Sequence, residues 1–251
     1  MDLDRQFRTR IGHTGMLSWN PVPLETLEEW CGGLPLGSES RILDVGCGRA
    51  ELLHRLAARF GCRGLGVDPD REALALAREA AERLGTGDRV ALIEAPFRPE
   101  VVTDASQDLA LCLGSTQAFD GLETALWVLR ERVRPGGHLL IGEGFWRREP
   151  APEYLELLGC EVGDLHSHLV NLRLAEEAGL EVARAREATD EEWREYEDRV
   201  HANLIRWCDE HADDPRAADL RGHTERWRRG WEIHGRTTLG FGLYLLRRPS
   251  A

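Results

Sequence analysis

Asp44, Gly46, Cys47 and Gly48 stand in the string RILDVGCGRAELL, where a short apolar run breaks into two glycines and continues as an amphipathic segment. Glycines at a strand-to-helix turn let the backbone approach a ligand closely and reach φ/ψ values that other residues adopt only with strain. A second acidic signal follows about twenty residues on, where GLGV ends in Asp68, Pro69 and Asp70. A carboxylate at the tip of the second strand of an α/β unit can accept two hydrogen bonds from the neighbouring hydroxyls of a ribose. Together the two signals imply a nucleotide-type ligand.

The form of the loop separates two ligand classes. A dinucleotide fingerprint would read G-x-G-x-x-G, whereas Glu51 stands here in place of the third glycine and is expected to repel a pyrophosphate. Asp44, just before the loop, suits a ligand with a cationic amino group.

The strings LDVGCGRAELL and GVDPD resemble the class I S-adenosylmethionine-dependent methyltransferases. LGSTQA from Leu113, LLIGEGFWRR from Leu139 and EWREY from Glu192 extend the resemblance to a bacterial subfamily of small methyltransferases over roughly residues 20–248. It implies S-adenosyl-L-methionine as cofactor, with Gly46, Cys47 and Gly48 passing under the methionine moiety and Asp68 on the ribose. By the same resemblance Leu113, Gly114, Ser115 and Gln117 line the cofactor. After the third strand the family often carries an acidic residue for the adenine amino group. This chain has Ala95, Pro96 and Phe97 there, so adenine falls to backbone groups, to Glu94 or to packing against Phe97.

Methyl transfer from a sulfonium is an in-line displacement, which asks for alignment and exclusion of water more than for a catalytic triad or a metal, and no metal is expected. Glu143, Phe145 and Trp146 follow the expected fifth strand and are placed at the acceptor. His168, with His166, opens the next helical stretch behind a possible cap at Asp164, and either could act as a base near neutral pH. Arg147 and Arg148 read as surface charges. His13 and Trp19 lie in a glycine-containing segment that suits a flap over the cofactor or a docked tail. Glu143, His13 and His168 are thus the catalytic candidates, and Trp19, Phe145, Trp146, Trp193 and Tyr196 the acceptor candidates.

The elements that must position these residues alternate. Strand-like runs at 41–45, 64–67, 89–93, 108–113 and 138–141 are separated by helical stretches such as 71–84 and 122–133, and the turn Arg134-Pro-Gly-Gly137 returns the chain to the sheet. The expected fold is α/β, a doubly wound Rossmann-like methyltransferase sheet with helices on both faces. Runs at 180–186 and 237–246 supply a sixth and a seventh strand. Between them, 189–234 read as two helices broken near Asp213-Asp214-Pro215, a helical cap that carries acceptor choice but not cofactor binding. The organisation is then 1–35 as N-terminal flap and first helix, 36–188 with 235–251 as core, and 189–234 as cap.

The cap is aromatic, with Trp193, Tyr196, Trp207, Trp227 and Trp231; most should glue its helices to the core, and one or two are placed to line the acceptor pocket. Arg226, Arg228 and Arg229 read as a solvated helix face.

Composition narrows the partners. Across 251 residues, 44 acidic against 32 basic side chains leave a net charge of −12, which repels a nucleic-acid backbone. MDLDRQFRTR has no apolar core of the kind a signal peptide needs, and no run approaches the ~20 apolar residues that span a bilayer. Six cysteines without a C-x-x-C pair suit reduced thiols. The reading is a cytoplasmic enzyme acting on a small-molecule acceptor, with no nucleic-acid or membrane partner and no indication of oligomeric state. Two alternatives remain, a noncatalytic S-adenosylmethionine sensor and a nucleotide-dependent oxidoreductase of similar fold.

Replacing Asp68 by Ala removes two charge-assisted hydrogen bonds, each worth ~1.5–3 kcal/mol, so S-adenosylmethionine affinity should fall at least about tenfold. Titration calorimetry on the folded variant checks this, and an unchanged dissociation constant removes the ribose assignment.

Overall fold

The structure, a computed structural model, describes residues 5–250; the first four residues of the expected flap lie outside the described residues. Seven strands form one sheet in the order β3-β2-β1-β4-β5-β7-β6. They are β1 (Arg41–Val45), β2 (Arg63–Asp68), β3 (Val90–Glu94), β4 (Gln107–Leu113), β5 (Val133–Trp146), β6 (Glu181–Glu187) and β7 (Leu239–Arg247). The first five pair in parallel, and β7 lies antiparallel between β5 and β6. The order reverses between β1 and β4, the position where ligands bind outside the carboxyl ends of parallel strands.

Helices cover both faces, because parallel strands buried on both sides need apolar partners on both. One face packs Ile42, Leu109, Leu111 and Leu140 against α2 (Leu24–Gly32), α3 (Glu51–Phe60) and α4 (Arg71–Leu84). The other packs Leu43, Ala110, Cys112, Leu139 and Ile141 against α5 (Leu122–Arg132) and α7 (His168–Glu177). Local chemistry sets the helix ends. Asp70 caps α4 by accepting from the Glu72 and Ala73 amides, and Gly85 closes it at φ +64°.

Strand and helix bounds differ from the sequence reading by a residue or two, and β5 is much longer than the four-residue run expected. It starts at Val133 because the Arg134-Pro-Gly-Gly137 turn is absorbed into the strand: Gly136 donates to Arg248 and Arg248 back to Gly137, adding a rung beside β7. His168 opens its helix behind Ser167, which accepts from the Val170 amide, and not behind Asp164, which instead closes a short turn with Glu161.

Between β6 and β7 run α8 (Asp190–Glu210) and α9 (Ala217–Gly230), then one π-helical turn, Trp231–Gly235. A capping box between Thr189 and Glu192 starts α8. Arg147 donates to Asp190 and to the Ala188 carbonyl, so it is a tie between β5 and α8 more than a free surface charge. The helix α1 (Arg5–Gly12) packs on α8 through Phe7 and Ile11, which meet Val200, Leu204 and Trp207. Arg228 pairs with Asp198 across the α8–α9 interface and with Glu232 along its own turn.

Trp193, an expected acceptor contact, is core. It is 7% exposed and its ring lies 5.0 Å from Trp231 and 6.4 Å from Phe241, in the same cluster as Leu243 and Leu245. Trp193→Ala should therefore cost about 3–5 kcal/mol of stability, seen as an earlier urea midpoint with the slope unchanged.

Candidate functional site

Three left-handed residues build the loop between β1 and α3: Gly46 at φ +67°, Gly48 at +51° and Ala50 at +50° alternate with residues of ordinary φ. The Gly46 and Cys47 amides donate to the Val67 carbonyl, and the Gly48 amide donates to Asp68 Oδ2 at 2.8 Å. The other Asp68 oxygen accepts from the Asp70 amide at 2.8 Å. A carboxylate offers about four acceptor positions, so two remain for ligand hydroxyls. Burial pushes the Asp68 carboxyl up from its ordinary value, and the two amides oppose that.

Gly46 is required for its left-handed φ and for a further reason. A Cβ there would stand 2.3 Å from Ser115 Cβ and 2.6 Å from its Oγ, so a larger residue strikes the turn that follows β4. Ser115 itself donates to the Val45 carbonyl at 2.7 Å, tying the ends of β4 and β1. The expected cofactor contact at Ser115 thus has its hydroxyl engaged by the protein.

A pocket opens against this loop, lined by Leu17, Ser18, Trp19, Asn20, Leu24 and Leu27 from the N-terminal side and by Asp44, Gly46, Cys47, Gly48, Arg49, Glu51, Leu52 and Leu113 from the sheet and α3. Asp44 is 6% exposed. Burial, and then the nearby Asp68 charge, push its carboxyl up to about 8, with no hydrogen bond opposing them. Such a group stands ready for a cation.

Glu51 behaves differently. Burial alone would raise it, but hydrogen bonds from Arg55 and Arg83 with the charges of Arg83 and Arg49 bring it below its ordinary value. Its oxygens lie 2.9 Å from Arg55, 2.7 Å from Arg83 and 3.3 Å from Arg49. The expectation that Glu51 repels a pyrophosphate is therefore corrected: its charge is met by three guanidiniums and carries no argument about phosphate.

The other cofactor candidates cluster nearby. The Ala95 amide donates to the Asp68 carbonyl, bringing Ala95, Pro96 and Phe97 beside the tip of β2. Phe97 packs on Phe119, 5.1 Å between centroids. The Gly114 amide donates to Gly142, and Gln117 is exposed. Pro69 occupies the turn between Asp68 and the cap residue Asp70.

Several candidates are not brought to this pocket. Side chains alternate along a strand, so Glu143 continues the Leu139–Ile141 face, opposite to Asp44. Its carboxyl is pushed up to about 7 by burial, against hydrogen bonds from the Thr116 hydroxyl and the Gly144 amide, and Oε2 has no partner. His168 Nδ1 lies 2.9 Å from the Tyr244 hydroxyl, which accepts from Asn171 at 3.1 Å. Phe145 is fully buried against His168, 5.2 Å between rings, and Trp146 donates its indole N–H to the Val162 carbonyl. None of Glu143, His168, Phe145 and Trp146 lines the pocket: Glu143 and Phe145 share the Ile141 face of β5, where Phe145 meets His168, and Trp146 on the opposite face is held by the Val162 carbonyl.

Two aromatic candidates meet across the chain. His13 Nε2 lies 2.8 Å from the Tyr196 hydroxyl, and its ring stacks on Trp19 at 5.2 Å. Sequence reasoning missed Leu17, Asn20, Leu24 and Leu27 as pocket walls. Their only signal was proximity to Trp19 and the apolar pattern of α2.

The switch-point sheet with a glycine turn, a ribose-type carboxylate and an unpaired acid beside it defines a Rossmann-like cofactor fold. Residues 42–137 match the family model described as a methyltransferase domain. The protein YjhP of Escherichia coli is 31% identical over 249 residues, 98% of this chain and 99% of that one. The SAM-dependent methyltransferase of Thiobacillus denitrificans, crystallised with S-adenosyl-L-homocysteine, superposes with a TM-score of 0.84 at 27% identity over 98% and 99% of the two chains. A trans-aconitate 2-methyltransferase of Paracidovorax citrulli is 30% identical over 145 residues, 54% of each chain. The chain belongs to the class I S-adenosylmethionine-dependent methyltransferases, and S-adenosyl-L-methionine is its cofactor.

The residues present fit that cofactor, which carries a cationic amino group and a ribose. Opposite a cation Asp44 ionises, so binding releases a proton wherever the free carboxyl holds one. Affinity should rise with pH toward about 8, by as much as about tenfold per unit, as the Asp44 carboxyl gives up its proton. Calorimetry across that range in two buffers of different ionisation enthalpy measures it. An Asp44→Asn variant should lose the slope, and a flat wild-type profile removes the ammonium assignment.

Proposed function

We propose that this methyltransferase acts on a small-molecule acceptor in the cytoplasm. The observation that carries the reading is the roof over the cofactor loop. Residues 17–20 wall one side of the pocket at that loop, and α1 behind them packs on α8, which leaves a partly open pocket that suits a small molecule better than the extended groove a polymer would need. The net charge of −12 supports the same reading by opposing a nucleic-acid acceptor. Among the described residues no helix is long and apolar enough to cross a membrane. The partial relative named for trans-aconitate supports a small acceptor without fixing this one.

In this reading the chain works as a strap and first helix at 1–35, a core at 36–188 with 235–251, and a cap at 189–234. The cofactor supplies a methyl group activated on a sulfonium sulfur. Asp44 would hold its amino group and Asp68 its ribose hydroxyls. Gly46, Cys47 and Gly48 let the backbone pass close beneath it, with Pro69, Ala95, Pro96, Phe97, Leu113, Gly114 and Gln117 around its remaining edge. Leu17, Trp19 and Leu27 exclude water, which an in-line displacement requires.

A methyl-transfer screen over small thiols, amines, carboxylates and phenols, read as S-adenosylhomocysteine formed, tests the proposal. Transfer to one class supports it. Tight cofactor binding with no transfer to any of them would favour the sensor reading.

A further inference from the structure

The His13–Tyr196 contact joins two segments 183 residues apart, and His13 stacks on Trp19, which lines the cofactor pocket. Its bonding is fully assigned. His13 Nδ1 lies 2.6 Å from the Thr9 carbonyl, which can only accept, so that nitrogen carries the proton. Nε2 then presents its lone pair to the Tyr196 hydroxyl at 2.8 Å. Both ring nitrogens are engaged, and burial holds the imidazole neutral, down to about 4. A ring with no free nitrogen and so little basicity makes a poor general base, which turns the expectation of a catalytic His13 toward a holding role.

What it holds is Trp19. The two rings stack with planes 27° apart. Trp19 rests directly on the glycine loop: a Cβ on Gly48 would lie 3.2 Å from Trp19 Cε3. The same segment is tied on both sides. Toward the core, Arg49 donates to the Met16 carbonyl at 2.8 Å and Arg10 pairs with Asp70 at 3.0 Å. Toward α8, Asn203 donates to the Gly12 and Thr14 carbonyls at 2.8 and 2.9 Å. Helix α8 thus grips the strap at two places about two turns apart, through Tyr196 and Asn203.

We propose that Tyr196 is a positioning residue for the cofactor: by its hydrogen bond to His13 it keeps Trp19 seated on the glycine loop, so that helix α8 controls how long the cofactor stays bound. The consequence reverses the expectation that 189–234 leaves cofactor binding untouched. Release of S-adenosylhomocysteine requires the strap to lift, and lifting breaks the contacts to α8. The inference rests on the cofactor assignment and is independent of the acceptor.

Tyr196→Phe deletes one hydroxyl and keeps the ring. It should weaken S-adenosylhomocysteine binding at least about fivefold, with the change in the dissociation rate measured by stopped-flow displacement, while the melting temperature of the ligand-free protein moves little. In a Trp19→Ala background the same substitution should have no further effect, because the residue through which it acts is gone. Asn203→Ala, which frees the strap from the same helix without touching the His13 pair, should shift the dissociation rate in the same direction and serves as second variant should Tyr196→Phe misfold. A dissociation constant within about threefold of wild type, or an equal loss retained in the Trp19→Ala background, overturns the proposal. Wild-type protein that bound no S-adenosylhomocysteine would overturn the cofactor assignment as well, whereas wild-type binding with unresponsive variants overturns this proposal alone.

Discussion

The hydrogen bond from the Gly48 amide to the Asp68 carboxylate is the constraint on which the site depends. It locks the loop after β1 to the tip of β2, and the loop's left-handed residues can persist only because that amide has somewhere to go. The same carboxylate fixes the start of α4 through the Asp70 amide. One side chain therefore sets the relation of two strand ends and two helix starts, and the surface left between them is the ligand's. Ser115 performs the equivalent task from β4, with its hydroxyl on Val45 and its Cβ filling the place a side chain at Gly46 would take.

The fold was legible because its signals are local. The run Arg41–Val45 broken by two glycines, and a second run ending in Asp68, each report a strand that stops at a turn, and their alternation with amphipathic helices leaves few topologies open. The cofactor candidates Asp44, Gly48 and Asp68 stand together at one loop, since they are contiguous with those strands. The acceptor candidates on β5 stand apart from that loop's pocket. Glu143 and Phe145 sit at the right height on β5, but which face a strand residue presents depends on the sheet's register; both share the Ile141 face, where Phe145 meets His168 and Glu143 meets Thr116. Glu51 was misread for the related reason that its partners Arg55 and Arg83 come from one turn and one helix further on. A charge's meaning depends on neighbours that sequence distance hides.

The N-terminal segment shows the same limit from the other direction. A histidine and a tryptophan among glycines gave no partner, because the partner, Tyr196, lies on a helix inserted near the end of the chain. Only packing of α1 against α8, through Phe7, Ile11, Val200 and Leu204, brings the two together. The apolar stripe of α8 was readable, yet nothing in it says which helix it receives.

Pairing also explains which buried acids are open to a ligand. Asp44, Glu143 and Glu197 are all buried and all pushed up, to about 8, 7 and 7, while Glu51 is equally buried and brought down. Desolvation is common to the four, so the difference lies in what faces each carboxyl. Glu51 has three guanidiniums. Glu197 accepts from the Trp227 indole at 2.9 Å and feels Arg228, and it serves the α8–α9 interface. Glu143 takes Thr116 and a backbone amide behind the sheet. Asp44 alone among them both lacks a donor and lines the pocket. In the empty pocket a proton relieves the unpaired acid beside Asp68, and a cation arriving from outside the chain can take that proton's place, which favours a ligand carrying one before any acceptor is considered.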